Sequence, residues 1–323
     1  MKAWFVLAAA LFLAACATTR PTATSSGTAM GPETRGRESI ERIPQDTPQG
    51  SLVIGRVALG SRVWLKDLLP PGAIPIRAPY TQLRVSGAGY FVFGVGRDET
   101  GTRNVLVAPP RAGDDAAFDQ LAPLPPDAIS HGIAILPRTF DIENVTGVPE
   151  DTVNPPPDIA ARIEREQADV GKSRERNDDR DDFSRGFDWP VHGRISGQYG
   201  SQRIYNGTPK SWHSGMDVAA PEGTPVHAPA GGIVIFANPD LYLTGGTVLI
   251  DHGQGVSSNF LHMSRIDVKV GDRVERGDVI GLVGATGRAT GPHMHWGMNW
   301  LTVRVDPQLL VAPADAQSGT VTQ

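Results

Sequence analysis

Three short stretches carry the residues with chemical potential: His213-Ser214-Gly215-Met216-Asp217, Phe260-Leu261-His262-Met263-Ser264 and Gly291-Pro292-His293-Met294-His295-Trp296. If the third is a strand, alternation puts His293 and His295 on one face and sends Met294 and Trp296 into a core. Two imidazoles about 7 Å apart on one face can converge on a single metal. In the first stretch, strand geometry would likewise put His213 and Asp217 on one face, with the small Gly215 between them. His262 closes the apolar run Asn259-Phe260-Leu261. Each stretch alone is a weak signal. Together they offer four histidines and one aspartate in a region without cysteine, which suits a catalytic zinc site of three N/O ligands plus one water. The bland alternative, satisfied core histidines, fits less well because histidine is not a preferred core residue. The residues alone leave open which of the histidines bind the metal.

The elements that position these residues must be strands and turns. In 323 residues, glycine (37) and proline (27) together make about a fifth of the chain, which excludes a helical bundle. The expected fold class is mainly β. Apolar runs such as Gly232-Ile233-Val234-Ile235-Phe236 and Gly246-Thr247-Val248-Leu249-Ile250 predict an antiparallel sheet over 186–311, followed by a disordered tail at 312–323. Shorter runs separated by turn residues predict a small β-sandwich over 51–150. Between them, Pro155-Pro156-Pro157 breaks the chain, and Asp158–Arg185 carries nine acids against seven bases. The expectation for 151–185 is a solvated, charged helical linker that Asp158 could cap; a partner-binding helix is the sharper alternative. The net charge of −5 argues against a nucleic-acid partner.

The N-terminus bears on compartment. Residues 1–15 read as a signal peptide: Lys2 is followed by an apolar run to Ala15, too short to span a bilayer. The run ends in Leu13-Ala14-Ala15-Cys16, which resembles a bacterial lipobox, so the one cysteine is the expected lipidation site and membrane anchor. Ala17 in place of aspartate favours, by that resemblance, the outer membrane facing the periplasm. Residues 16–50 are rich in Thr, Ser, Pro and Gly and read as a flexible tether.

From about Trp189 to Pro307 the chain resembles peptidase family M23, the LytM or lysostaphin-type zinc metallopeptidases that cut peptide bonds in peptidoglycan. The resemblance rests on His213-x-x-x-Asp217, Leu261-His262 and Gly291-Pro292-His293-x-His295. The frames Pro221–Val226, Val270–Val274 and Gly284–Gly287 support it. The N-terminal region also resembles, less specifically, the β domain that precedes this module in some Gram-negative members. The family implies His213, Asp217 and His295 as ligands of Zn2+, and His262 and His293 as the catalytic pair. Some members place an oxyanion-stabilising tyrosine on the preceding loop, for which Tyr205 is the candidate counterpart. Without a His-Glu-x-x-His motif, a histidine must serve as the base. The implied function is a zinc endopeptidase acting on cross-linked peptidoglycan stem peptides. The alternatives are an adaptor that activates cell-wall amidases without its own catalysis, and a wall-binding scaffold. A cell-division or wall-remodelling protein is an expected partner.

Overall fold

The run Asn104-Val105-Leu106-Val107 predicts a strand and lies within one, as do Gly232–Phe236 and Gly246–Ile250 beyond the charged segment. A computed structural model describes residues 40–66, 80–110, 118–148 and 150–313. Cys16, the signal segment 1–15, most of the expected tether and residues 314–323 of the expected tail lie outside the described residues.

Nine strands precede the helical segment: β1 (Ile40–Arg42), β2 (Asp46–Pro48), β3 (Leu52–Val57), β4 (Arg62–Lys66), β5 (Tyr80–Leu83), β6 (Tyr90–Gly94), β7 (Gly101–Ala108), β8 (Ile129–Leu136) and β9 (Ile142–Val145). A sheet of order β1-β3-β6 faces one of order β2-β8-β7-β4-β5. Val53, Phe91 and Phe93 from the first pack on Val63, Leu65, Val105, Val107 and Ile133 from the second, all buried. This is the expected sandwich. Burying each such side chain is worth about 1.5–3 kcal/mol, so these contacts outweigh any local preference of the many turns. The tether expected to reach residue 50 is shorter, because β1 and β2 fall inside it and pair with β3 and β8.

Two helices follow, α1 (Glu150–Val153) and α2 (Pro157–Ser173). α2 starts with Pro157 at its first turn, where a missing N–H costs nothing. Asp158 lies in that first turn and does not cap it; the capping position is Pro156. The charged helix is therefore present, with no buried residue of its own. It is nonetheless docked: Arg162 donates to the carbonyl of Asp240, and Glu166 accepts from the N–H of Tyr242.

The remaining strands are β10 (Arg194–Gly197), β11 (Gln202–Tyr205), β12 (Thr208–Pro209), β13 (Met216–Ala219), β14 (Pro225–His227), β15 (Gly232–Leu241), β16 (Gly245–Asp251), β17 (Val256–Met263), β18 (Arg265–Ile266), β19 (Arg273–Val274), β20 (Val279–Leu282), β21 (His293–Trp300) and β22 (Val303–Val305). The main sheet runs β10-β13-β21-β17-β16-β15-β19, with β22 on β21, and every pairing in it is antiparallel. Met216, Phe260, Met294, Trp296 and Met298 fill its core with zero exposure. Leu52 and Val92 of the sandwich belong to that same core. β9 also pairs in parallel with β11, beside the first histidine stretch. The two halves therefore share packing and hydrogen bonds across the expected boundary.

Candidate metal centre

Asp217 and His295 face each other directly across the β13–β21 pairing. Directly opposed residues bring their Cβ atoms within about 5 Å, so two potential ligands meet by register alone. His213 arrives differently. The expectation of one strand across 213–217 is corrected here, because β13 begins at Met216. His213 lies in the preceding segment, held by backbone bonds from Gly200 N–H to its carbonyl and from its own N–H to Ser201, each 2.8 Å. Gly215 is required between them. A Cβ there would lie 2.5 Å from the carbonyl oxygen of Trp296 and 2.7 Å from Nε2 of His295.

The three residues present a compact donor triangle. Nε2 of His213 is 2.9 Å from Nδ1 of His295 and 3.2 Å from Oδ1 of Asp217, and His295 Nδ1 is 2.9 Å from the same oxygen. Tetrahedral ligands at about 2.0–2.1 Å from a metal are separated by roughly 3.3 Å, so the triangle needs only slight opening to accept one. All three side chains are buried. His213 also donates Nδ1–H to the carbonyl of Gln198 at 3.0 Å, which leaves its Nε2 lone pair facing the triangle. Two imidazoles and one carboxylate form a donor set able to hold a metal.

Electrostatics favour the ionised form of Asp217 and the neutral form of His295. Burial would raise the Asp217 carboxyl, but His213 and His295 beside it hold it well below the usual carboxylate range. Burial lowers His295 to about 4. Arg203 adds a full positive charge, donating to Oδ2 of Asp217 and to Glu143 of β9. Arg203 is not among the residues that the sequence marks for the site. No local spacing signals its role, because its partners lie 14 and 60 residues away.

His262 and His293 flank the triangle, with ring centroids 4.8 Å apart. His293 comes from β21, two residues before His295 and on the same face, as alternation predicts. His262 comes from a β-bulge. Met263 pairs with Gly246 and Phe260 with Val248, so two residues of β17 oppose one of β16. His262 adopts φ 64°, a left-handed conformation uncommon for a non-glycine residue. Bulges re-aim side chains, and this one turns His262 toward β21. Both rings are oriented alike: Nδ1–H of His262 donates to the Thr286 carbonyl at 2.7 Å, and that of His293 to Gly291 at 2.8 Å. Each therefore offers Nε2 as an acceptor. Burial, and then the neighbouring His293, lower His262 to about 3, so it is neutral at physiological pH.

Two cavities meet at the centre. One of about 430 Å³ runs under α2 and includes His213, His262 and His295. The other, about 420 Å³, includes Asp217 and His293 and is walled by β9. Arg203, Tyr205, His262 and Arg288 line both and so form the partition. Tyr205 lies beneath the Arg288 guanidinium, 4.7 Å away, and its hydroxyl oxygen accepts from Arg203 at 3.1 Å. Of the other histidines, His252 is fully buried, bonded to the Gly231 carbonyl and Ser258 Oγ at 2.7 and 2.8 Å. His131 lies within β8, its ring on the Pro44 carbonyl.

Residues 211–307 match the model of peptidase family M23. Peptidoglycan DD-endopeptidase ShyA of Vibrio cholerae is 35% identical over 204 residues, covering 58% of this chain and 46% of that protein. Cell division protein DipM of Caulobacter vibrioides is 33% identical over 128 residues, 40% of this chain and 20% of that one. The chain thus spans less than half the length of these curated relatives. A crystal structure from Pseudomonas aeruginosa, itself given a provisional peptidase M23 assignment, superposes with a TM-score of 0.55 at 29% identity. It covers 86% of this chain and 98% of that one, so the likeness takes in the N-terminal strands as well as the main sheet.

Proposed function

We propose that this chain, which carries a peptidase family M23 domain over residues 211–307, is a zinc-dependent endopeptidase that cleaves peptide cross-links of peptidoglycan in the periplasm. The observation that carries this reading is the donor triangle of His213, Asp217 and His295 beside two histidines whose Nε2 atoms are set as acceptors. Zinc held by that triangle supplies Lewis acidity toward a peptide carbonyl and toward water.

The protein's own residues supply the rest. A general base is needed, and the acids nearby are already engaged: Asp217 among the donors, Glu143 with Arg203, and Glu166 with Arg162. His262 and His293 remain. Their Nδ1–H groups are tied to carbonyls, so one Nε2 takes the proton of the attacking water and passes it to the leaving amine. Tyr205 accepts from Arg203 through its oxygen and keeps its own hydroxyl proton for the developing oxyanion. Replacing Asp217 with alanine is the test of the whole scheme: zinc content and release of monomeric muropeptides from sacculi should be lost together. Retention of turnover without zinc would overturn it.

The adaptor reading draws on the match to a cell division protein. All five chemical positions are filled here, which a purely non-enzymatic adaptor does not need, so the enzyme reading is preferred. We also assign the Leu13-Ala14-Ala15-Cys16 stretch to lipid attachment at Cys16 and place the protein at the outer membrane, facing the periplasm. Metabolic labelling with a fatty-acid probe, lost in Cys16→Ser, tests that assignment.

A further inference from the structure

Two arginines in the cavity under α2 have no acidic partner among the described residues. Arg174 sits at the C-terminal cap of α2, and Arg304 lies in β22, 130 positions later. Both line the cavity that holds His213, His262 and His295. Nε of Arg174 is buried with no hydrogen-bond partner, and Arg304 reaches only the amide oxygen of Asn299, at 3.3 Å, among the described residues. Glu166 is the one acid among the described lining residues, and its oxygens are committed to Arg162 and to the Tyr242 N–H.

Burial, and then the charge of Arg304, disfavour the cationic form of Arg174; burial does the same for Arg304. An arginine does not relieve such strain by losing its proton. The C-terminus of α2 contributes only about half a negative charge, against two whole positive ones. An anion is the remaining remedy. Asn259 adds a second cue, since its buried Oδ1 has no partner and the residue lines the same cavity. An amide placed there suits a peptide backbone.

The distance is that of a peptide. Arg304 contacts Asn299, four residues along β21 from His295 and on the same face. At about 3.3 Å per residue this end of the cavity lies roughly 13 Å from the metal ligands, the span of about four extended residues.

We propose that Arg174 and Arg304 form a carboxylate-binding subsite that receives an acidic residue of the peptide substrate, several residues from the bond that is cut. This rests on the reading of the chain as a peptidoglycan hydrolase, which supplies the acidic peptide. The test titrates the zinc-loaded full chain with a synthetic stem tetrapeptide bearing free carboxylates and with its fully amidated counterpart, by calorimetry. The acidic peptide binds about 10-fold more tightly, the range of a charge-assisted contact. The Arg174→Gln, Arg304→Gln double variant brings that ratio near one, whereas Arg174→Lys, which keeps the charge, retains a preference. Equal binding of the two peptides by the unaltered protein, or an undiminished ratio in the double variant, overturns the subsite. Turnover of cross-linked muropeptides is measured in parallel. A binding preference without turnover supports the subsite and removes the hydrolase reading; turnover without preference does the reverse.

Discussion

Arg203 donates to Oδ2 of Asp217, the oxygen that His213 and His295 leave free, so the one carboxylate of the donor triangle is shared between the metal face and a buried cation. The same guanidinium also binds Glu143 of β9. The N-terminal half is thereby linked to a candidate metal ligand through a chain of two ion pairs, Glu143 to Arg203 to Asp217.

Arg203→Gln removes the charge while keeping a donor. Partners that orient a ligand typically account for 10–100-fold in metal affinity, so zinc binding should weaken by about that factor. Competition against a chelator of known affinity measures it. An unchanged dissociation constant would mean that Asp217 is held by register with His295 alone.

Gly215→Ala tests the packing behind the triangle. The new methyl would lie 2.5 Å from a backbone oxygen of Trp296, which cannot yield without moving β21. Overpacking of this kind costs about 1–3 kcal/mol, and here the displacement is passed to His295. A lowered Tm together with sub-stoichiometric zinc is expected. Full zinc occupancy with an unchanged Tm would show that β13 and β21 are less tightly apposed.

His293→Ala separates catalysis from metal binding. Loss of a general base costs about 10²–10⁴-fold in turnover, while the donor triangle stays whole. His295→Ala should lose the zinc itself. If the two variants exchange these outcomes, the roles of the neighbouring histidines are reversed.

His252 makes the stability pH-dependent from outside the centre. Burial lowers it to about 4, whereas in the unfolded chain it titrates near 6.5. Between those values the unfolded state binds the extra proton. The contribution to stability is therefore complete above pH 6.5 and is lost as the pH falls toward about 4, amounting to about 3 kcal/mol. Urea unfolding of the zinc-free protein at pH 7 and pH 4.5 reads most of this, and His252→Gln should flatten the difference by about 2 kcal/mol. An equal pH dependence in the variant would assign the effect to other groups.

Much of this is legible in the sequence. The period of two places His293 and His295 together and buries Met294 and Trp296, because in a strand alternation alone decides the face. Gly215 stands out as the small residue between two candidate ligands. What stayed hidden depends on long-range registration. The bulge that turns His262 exists only in the pairing of β17 with β16, and no residue type announces it. His213 is aimed by backbone bonds to residues 200 and 201, not by a strand of its own. The apolar runs around Leu52 and Val92 reveal that these residues are buried, but not that they are buried in the core of the C-terminal sheet. The neighbourhood of Arg174 and Arg304 is likewise a product of how α2 docks on β15, through Arg162 and Asp240.

The most direct measurement is turnover by the full chain with its zinc content determined in the same sample. The zinc-loaded protein, at one ion per chain, should convert purified cross-linked muropeptide dimers to monomers, and Asp217→Ala should bind no zinc and leave the dimers intact. Dimers left uncut by fully zinc-loaded, folded protein would contradict the account.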